Sequence, residues 1–297
     1  MTTNYPDSTE PGPYQSLQET RGDSSPKRAS DYATRMQNLE SPMGLIGFTG
    51  FVGGTLMGQA EFDFLYRRRN VHELAADRPA TVICAGAPAA KWLANQKPRE
   101  DRQNLNRLIS ALDETPIRRL ILISTVDVYP DPTRVDESSP IDPASNHPYG
   151  RHRLHLERFV RERFDQTTVI RLPALFGRGL KKNFVFDLLN DGPKRFTHRD
   201  SAFQFYDISR LWLDLLRIVA SGLELVNLVS EPVSAREVAR HAFGIDYDFV
   251  TDADPVAYDI RTRHAERFGA EGVYMFSASE TLDRLRTFVT SERSRYQ

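Results

Sequence analysis

The chain of 297 residues contains a single cysteine, Cys84, so no disulfide can form within it. Cys84 lies in the apolar run TVICAG, where we expect a buried, unreactive thiol rather than a nucleophile. No run approaches the roughly 18 apolar residues that a membrane-spanning helix needs, and the histidines show no metal-ligand spacing. A formal net charge of −1 gives nucleic acid or an anionic membrane no electrostatic attraction. These absences predict a cytoplasmic protein with no metal, nucleic acid or membrane among its partners.

The first 42 residues have few aliphatic side chains. Leu17 and Leu39 are the large aliphatic residues there, among many Pro, Ser, Thr, Asp and Glu. Such a segment cannot bury enough apolar surface to offset the entropy lost on ordering. We therefore predict a disordered tail over residues 1–42, without the apolar segment of a secretory signal. An extension without function is the simplest interpretation of it.

Residues 43–53, MGLIGFTGFVG, carry the strongest local pattern in the sequence. A short apolar run passes directly into three glycines, Gly47, Gly50 and Gly53, and apolar residues then follow at helical spacing. This order predicts a strand, a tight turn and a helix. Glycines let a backbone turn sharply and let a ligand approach closely, and the start of a helix favours a pyrophosphate. A glycine-rich turn without a ligand is an equally good interpretation of this motif alone.

Strands and helices alternate through most of the remaining chain. Strands are predicted at 62–66, 80–85, 119–126, 167–172 and 223–229, and helices at 100–112, 149–164, 184–189, 206–220, 234–243 and 277–289. Ser234 with Glu237 and Ser277 with Glu280 form capping boxes for the last two helices. The alternation predicts an α/β fold with a parallel, doubly wound sheet. Few residues separate Gly53 from Thr81, so we expect this half of the sheet to be trimmed.

Three segments in this order, GFTGFVG, ISTVDVY and YGRHR, resemble the extended short-chain dehydrogenase/reductase family, of the NAD-dependent epimerase/dehydratase type. The resemblance covers about residues 43–229. It implies a Rossmann-type domain over residues 43–172 and a small substrate lobe over 173–297, with a helix and strand at about 206–229 returning to the sheet. It implies NAD(P) as cofactor and a sugar carried on a nucleotide as substrate. A homodimer is left open.

The resemblance also implies roles for particular residues. Tyr149 would donate or accept a proton as hydride moves, and Thr125 would hydrogen-bond the reacting oxygen. The lysine that relatives carry four residues after the tyrosine is Arg153 here. Asp127 lies where sugar dehydratases of the family have an acidic base, but it is as readily a loop cap. The implied cofactor contacts are Gly47, Thr49, Gly50, Phe51, Val52, Gly53, Arg67, Ala85, Gly86, Tyr149, Arg153 and Pro173.

Two basic segments bear on the choice of ligand. Arg67 to Arg69 follow the second predicted strand, where an acidic residue favours NAD and arginine accommodates the 2′-phosphate of NADP. They favour NADP slightly, and a solvated turn is the alternative. The implied substrate contacts are Lys91, Trp92, Lys181, Lys182 and Asn183. Trp92 is equally well explained by packing, and each lysine of the Lys181–Lys182 pair by a solvated loop.

Two functions therefore remain open from the sequence. The first is an NAD(P)-dependent enzyme that oxidises, reduces or epimerises a nucleotide-linked sugar. The second is a catalytically weak or inactive NAD(P)-binding protein with a regulatory or partner role, which the change from lysine to Arg153 favours. Arginine has a pKa above about 12, so it cannot pass a proton along a relay as lysine can.

Overall fold

The computed structural model describes residues 39–192 and 197–295. The predicted tail lies outside these residues except for its last four. Of those, Leu39 is buried against the core and the Glu40 carboxylate pairs with the Arg118 guanidinium at 2.6 Å. The segment just before Met43 therefore belongs to the folded part. The predicted boundary between residues 172 and 173 stays a prediction.

A parallel sheet of six strands forms the centre of the described residues. The strands of the described residues, in this sheet and in the small two-stranded sheets around it, are β1 (Met43–Ile46), β2 (Phe64–Tyr66), β3 (Thr81–Cys84), β4 (Arg119–Thr125), β5 (Thr133–Val135), β6 (Gln166–Leu172), β7 (Ala174–Phe176), β8 (Ala202–Phe203), β9 (Phe205–Asp207), β10 (Leu225–Asn227), β11 (Val233–Ser234) and β12 (Asp259–Ile260). The central sheet has the order β10-β6-β4-β3-β1-β2, and every pair in it is parallel. The three-residue β2 is the edge strand beside β1, so the predicted trimming of this half of the sheet is confirmed.

Helices cover both faces of the sheet. They are α1 (Phe51–Met57), α2 (Leu74–Asp77), α3 (Lys91–Gln96), α4 (Pro98–Asp113), α5 (Pro148–Arg163), α6 (Phe184–Leu189), α7 (Leu211–Ala220), α8 (Ala235–Val238) and α9 (Ala278–Ser294). Leu105 of α4 and Leu156 of α5 pack on one face with Val82 and Leu120. Residues of α1 and α7 pack on the other face. The doubly wound Rossmann-type architecture is therefore confirmed.

The predicted helix at 206–220 is wrong at its start. Residues 205–207 form β9, which pairs in parallel with β7, and α7 begins only at Leu211. The buried Tyr206 hydroxyl donates to Asp214 Oδ2 at 2.8 Å. The Asp207 carboxylate accepts from the Ser209 backbone N–H at 3.0 Å, which opens the turn into the helix. Alternating aromatic residues at 203 and 205 favour strands here, since β-strands place every second side chain on one face.

The C-terminal elements follow the sequence pattern closely. β10 joins β6 at the edge of the central sheet, as predicted for the strand at 223–229. Both predicted capping boxes are present at the starts of α8 and α9. None of the helices in the described ranges combines the length and the apolar character needed to cross a membrane.

Candidate active site

A cavity of about 1000 Å³ opens at the carboxyl ends of β1, β3, β4 and β6. Gly47, Ala85, Val126 and Pro173, each directly after one of these strands, line its wall. Parallel strands bring their carboxyl ends to one edge, and open α/β sheets bind ligands outside that edge. The crevice therefore lies at the edge where sheets of this kind bind ligands, and its volume is at the upper end of the range of small-molecule sites.

The three glycines of the first turn have different roles. Gly47 has φ +90°, and a Cβ there would lie 2.4 Å from the Ala85 carbonyl oxygen. A Cβ on Gly53 would lie 2.2 Å from the Gly47 carbonyl oxygen. Gly50 is exposed, has an ordinary φ of −82°, and offers a Cβ only one close neighbour, the Gly47 carbonyl oxygen at 3.3 Å. Gly47 and Gly53 therefore make the tight turn, whereas Gly50 presents bare backbone to the cavity.

Tyr149 is held in the first turn of α5 with 7% of its surface exposed. The helix begins at Pro148, and His147 Nδ1 accepts from the Gly150 backbone N–H at 3.0 Å. Asn95 Oδ1 accepts from the Tyr149 backbone N–H, also at 3.0 Å. The backbone that carries the tyrosine is thus fixed both by its own cap and by a side chain from α3.

The Tyr149 phenol has a distinct electrostatic environment. Burial raises its pKa above the ordinary value. The positive charge of Arg153 and a hydrogen bond with the Thr125 side chain lower the pKa and offset part of that rise. Thr125 is the last residue of β4. The predicted pair of Thr125 and Tyr149 is therefore in contact in the wall of the cavity.

Arg153 is committed to protein partners. It is 3% exposed, and its two terminal nitrogens donate to Asp101 Oδ2 and Oδ1 at 2.8 and 2.9 Å. One of them also donates to the Pro88 carbonyl, and the guanidinium carbon lies 4.3 Å from the centroid of the Tyr149 ring. The buried Nε has no hydrogen-bond partner in the described part of the chain. The arginine thus lines the cavity beside the tyrosine, and its Nε–H lies outside these hydrogen bonds.

Asp101 is the buried counter-ion of this pair. Its Oδ2 also lies 2.8 Å from His152 Nδ1. Burial alone would raise the pKa of the Asp101 carboxyl, but the hydrogen bonds from Arg153 and His152 outweigh it and hold that pKa below its usual range. Sequence reasoning does not identify Asp101, because it lies in the polar start of α4 some 50 residues before Arg153.

Asp127 joins residues from two distant segments. Its Oδ1 accepts from Lys91 Nζ at 2.7 Å and from the Tyr258 hydroxyl at 3.0 Å. Its backbone N–H donates to Thr125 Oγ1 at 3.1 Å, so the loop cap is the threonine side chain and not the aspartate. Tyr258 precedes β12 and is absent from the sequence-based set. These contacts place a Lys91–Asp127–Tyr258 cluster next to Thr125 and Tyr149.

Arginines line the opposite end of the cavity. Arg67 and Arg68 follow β2, and Arg107 projects from α4; all three are exposed, and Arg69 lies outside the lining. Arg67 and Arg68 have no ion-pair partner among residues 39–192 and 197–295. Asn70 Oδ1 accepts from the Arg67 backbone N–H at 2.8 Å, which fixes the turn that carries them. Arg107 is a further cation that sequence reasoning missed.

The predicted substrate residues divide into two groups. Lys91, Lys181 and Lys182 line the cavity, and Lys182 Nζ donates to the Ala89 carbonyl. Trp92 is 63% exposed and lies outside the lining. Among the predicted set, the lysines are therefore the ones placed to meet an anionic ligand.

Asn183 lines the cavity, but its side chain is used within the protein. Its Oδ1 accepts from the Phe186 backbone N–H at 3.1 Å and caps α6, and its Nδ2 donates to the Leu175 carbonyl at 2.8 Å. Aromatic rings lie beside it. The Phe203 ring stacks on Phe184 at 6.3 Å and on Tyr258 at 6.5 Å between centroids. This aromatic row is absent from the sequence-based set, although the alternating residues 203 and 205 signal its strand.

The geometry fits a dinucleotide. The exposed Gly50 backbone, the arginines after β2 and Arg153, whose Nε has no hydrogen-bond partner in the described residues, all belong to one cavity. Bare backbone at a turn before a helix can approach a pyrophosphate, cations suit a phosphate on the adenosine ribose, and an unpaired N–H suits a ribose hydroxyl. Because α1 has only seven residues, the turn's backbone contributes more here than the helix dipole.

Comparison with known proteins agrees with this geometry. The model of the NAD dependent epimerase/dehydratase family matches residues 59–193, a segment that includes Thr125, Tyr149 and Arg153. No curated protein matches the sequence.

Solved structures match over most of the chain. The dTDP-4-dehydrorhamnose reductase of Bacillus anthracis, in complex with NADP, is 17% identical, with TM-score 0.66 over 84% of this chain and 97% of that one. RMD from Pseudomonas aeruginosa, with NADPH, is 19% identical, with TM-score 0.65 over 85% and 100%. MoeE5, in complex with UDP-glucuronic acid and NAD, is 16% identical, with TM-score 0.68 over 86% and 100%. At these identities the likeness is one of fold.

Proposed function

This chain is a member of the NAD dependent epimerase/dehydratase family by its match over residues 59–193, and from that premise we propose that it is an NAD(P)-dependent oxidoreductase or epimerase acting on a nucleotide-linked sugar. One observation carries the proposal. The glycine turn, Thr125 and Tyr149 come from separate parts of the sequence and line a single cavity at the carboxyl edge of the sheet. The cytoplasmic location stays a prediction.

Tyr149 is the acid/base of the proposed reaction. When bound, the nicotinamide cofactor accepts or supplies a hydride. Thr125 and the Tyr149 hydroxyl would hold the reacting oxygen of the sugar, and Tyr149 would move a proton to or from that oxygen. Burial keeps the phenol protonated at neutral pH, which suits a proton donor to a carbonyl being reduced. Arg153 would contact the cofactor ribose through Nε and would stabilise negative charge on Tyr149.

The substrate end of the cavity supports a nucleoside diphosphate. Lys181 and Lys182 bring positive charge that a diphosphate requires. The aromatic row of Phe184, Phe203 and Tyr258 offers faces on which a base can stack. Solved structures of the same fold hold UDP-glucose and UDP-glucuronic acid. A sugar on a nucleoside diphosphate would use both the charged and the aromatic part of the wall.

Gly50→Val should abolish cofactor binding while the protein stays folded. Valine adopts the backbone angles of Gly50, and its Cβ meets only the Gly47 carbonyl, but its methyl groups occupy the space where phosphate would approach. We expect no measurable NADP⁺ binding, a loss of affinity well beyond the tenfold that about 1.4 kcal/mol represents. Calorimetric titration with NADP⁺, beside a thermal melt, measures both properties.

Gly54→Ala is the matched control for that variant. Gly54 lies in α1 outside the cavity lining, and a Cβ there makes an ordinary 3.5 Å contact with the Phe48 carbonyl oxygen. Gly54→Ala should bind NADP⁺ as the wild type does. Its free energy of unfolding should rise by up to about 1 kcal/mol, since alanine has a higher helix propensity than glycine. Normal NADP⁺ binding by a folded Gly50→Val protein would exclude the glycine turn as the phosphate site.

The double variant Arg67→Ser/Arg68→Ser should remove a preference for NADP over NAD. Both side chains line the cavity and are free to meet a 2′-phosphate. Each charge-assisted contact contributes about 1.5–3 kcal/mol, so we expect NADP⁺ to bind at least about tenfold more weakly and NAD⁺ to be nearly unaffected. Arg69→Ser, outside the lining, is the control. Equal affinities of the wild type for the two cofactors would mean that the arginines form only a solvated turn.

A second candidate function rests on a specific observation. Arg153 is locked to Asp101 and Pro88, and arginine does not exchange protons at neutral pH. A protein that binds NAD(P) and turns over slowly, with a regulatory or partner role, would use the same cavity. Titration with cofactor would then succeed and turnover would fail.

Turnover assays separate the two candidates. The purified protein would be incubated with UDP-glucose and NAD⁺, with UDP-glucuronic acid and NAD⁺, and with dTDP-4-dehydrorhamnose and NADPH. The absorbance of the reduced nicotinamide, the mass of the sugar product and its chromatographic retention, which separates epimers of equal mass, would be followed. A product in any mixture supports the enzyme. Cofactor binding with no product in all three mixtures supports the binding protein instead.

A further inference from the structure

The proposed acid/base is almost fully enclosed by protein outside the cavity that it lines. Only 7% of Tyr149 is exposed, and its neighbour Arg153 is 3% exposed. An acid that gives up its proton in every turnover must recover one. Arginine is a poor source, because its pKa lies above about 12 and it stays protonated in proteins. A second acid in the same cavity, one that reaches solvent, would replenish the phenol.

Lys91 is placed for that connection. It lies at the start of α3, its side chain is 39% exposed, and it lines the same cavity as Tyr149. Its charge acts on the Tyr149 phenol. Asp127 Oδ1 and the Tyr258 hydroxyl, 2.7 and 3.3 Å from Nζ, hold the ammonium in one position. Lys91 thus reaches solvent, and its charge acts on the tyrosine across the cavity that both residues line.

We propose that Lys91, positioned by Asp127 and Tyr258, returns protons from solvent to Tyr149, a proton transfer that Arg153 cannot carry out. The inference rests on the proposed function. Lys91 is a positioning residue in the sense that it acts on the substrate only through Tyr149. Asp127 and Tyr258 act in turn by holding Lys91.

The pKa values of the two groups shift in the same direction. Burial raises the pKa of Tyr149 above its ordinary value of about 10. Burial alone would lower the pKa of Lys91, but Asp127 and Tyr258 outweigh it and raise that pKa above about 10.5. The pKa values of both groups are therefore shifted upward from similar ordinary values, whereas an arginine holds its proton to a pKa above about 12.

The proton steps balance in the direction of carbonyl reduction. As the carbonyl carbon receives a hydride, the electron pair of the C=O π bond moves to oxygen, and the Tyr149 O–H bond breaks to protonate that oxygen. The phenolate then takes a proton from the Lys91 ammonium, and the N–H electron pair stays on nitrogen. The neutral amine takes a proton from water. The reverse sequence serves alcohol oxidation.

Several charged groups face Tyr149 and Lys91, and each of them influences how turnover depends on pH. Tyr149 faces Arg153 from its own helix and Asp127 from the turn after β4. Lys91 faces Asp127, Tyr258 and His147; burial, together with the Lys91 charge, lowers the pKa of His147. Lys182, which interacts with Asp127, adds positive charge from the loop before α6.

The first arm of the test needs neither cofactor nor substrate. Tyrosine ionisation is followed by ultraviolet difference titration, with Tyr149→Phe subtracted to isolate Tyr149. Lys91→Gln removes a positive charge near the phenol and leaves Asp127 uncompensated, so the ionisation of Tyr149 should move to higher pH. Lys97→Gln is the control, because Lys97 follows the same helix α3 and pairs with Glu100 at the surface. An unmoved titration in a folded Lys91→Gln protein would overturn the proposal.

The second arm measures proton return during turnover of whichever of the three sugar nucleotides the wild type uses. Lys91→Ala should lose about 10- to 100-fold in kcat, within the range of proton-transfer groups, with cofactor affinity unchanged. Added ethylammonium should raise the kcat of Lys91→Ala about tenfold, because the exposed position admits a small amine. Lys91→Arg keeps the charge without the exchangeable proton and should stay slow. Tyr258→Phe should reduce kcat without responding to amine.

The outcomes separate the relay from the enzyme assignment. Full turnover by Lys91→Ala or Lys91→Arg would overturn the relay and leave the proposed function intact. A loss that ethylammonium does not restore would also overturn it, since a purely structural lysine gives that result. Absence of turnover by the wild type would overturn the proposed function, and the relay with it.

Discussion

Arg153→Ala should lower the free energy of unfolding by about 3–5 kcal/mol, the cost of leaving one partner of a buried ion pair behind. Asp101 is 5% exposed and receives two hydrogen bonds from the arginine. After the substitution only His152 would still contact the carboxylate. Chemical denaturation followed by fluorescence measures the change. Since domains are stable by about 5–15 kcal/mol, the variant should still fold at low temperature.

The pH dependence of this effect distinguishes the ion pair from simple loss of packing. The pKa of Asp101 is lowered in the folded protein, so its contribution to stability is present above the unfolded value of about 3.9 and is lost as pH falls through the folded value. In Arg153→Ala, burial would instead favour the protonated carboxyl. The difference between wild type and variant should therefore be largest at neutral pH and shrink on acidification.

Arg163→Ala is the matched control on the same helix. Arg163 pairs with Asp113 at 2.7 Å, but both side chains are substantially exposed. Arg163→Ala should lower the free energy of unfolding by no more than about 1 kcal/mol. A cost for Arg153→Ala as small as that of Arg163→Ala, at neutral pH, would contradict the account of Arg153 as a buried structural cation.

Tyr149→Phe should reduce turnover by about 10²- to 10⁴-fold, the usual contribution of a general acid or base. The substitution removes only the hydroxyl that bonds with Thr125, and the phenyl ring still packs under Arg153. Cofactor affinity and the melting temperature should therefore change little. Initial rates with the sugar nucleotide that the wild type uses, beside NADP⁺ titration, make the comparison.

Tyr129→Phe is a control for the loss of a buried tyrosine hydroxyl away from the cavity. Tyr129 accepts from Arg171 at 2.7 Å and donates to the Asp136 carbonyl, also at 2.7 Å, and it lies outside the cavity lining. This variant should lose stability rather than kcat. Turnover by Tyr149→Phe within a few-fold of wild type would exclude the phenol as the acid/base.

The parts of the fold that the sequence predicts are those with strong local signals. The apolar run 119–126 becomes β4 because a strand buried on both faces needs continuous apolar residues. Ser234 and Ser277 begin helices because their capping boxes are made within four residues of chain. The sequence assigns Tyr206 to a helix because the helical periodicity of α7 continues back into β9. The strand that pairs with β9 is β7, which lies about 30 residues earlier in the chain and leaves no local signal.

The site shows the same division. Thr125 and Tyr149 can be named from motif spacing, and they are in contact. Tyr258 reaches Asp127, and Asp101 reaches Arg153, only through tertiary packing, and no spacing in the sequence joins either pair. Trp92 follows a cavity residue but points to solvent, because neighbouring residues of a helix face different directions. Asn183 matches a polar loop position, yet capping α6 occupies its side chain.

Native mass spectrometry of freshly purified protein, alone and after addition of NADP⁺ and NAD⁺, tests the central claim most directly. That claim is that the cavity at the carboxyl edge of the sheet binds a nicotinamide dinucleotide. We predict one dinucleotide per chain in the wild type and in Gly54→Ala, and none in Gly50→Val. A wild type that carries no dinucleotide even with added cofactor, or a folded Gly50→Val that retains it, would contradict the account.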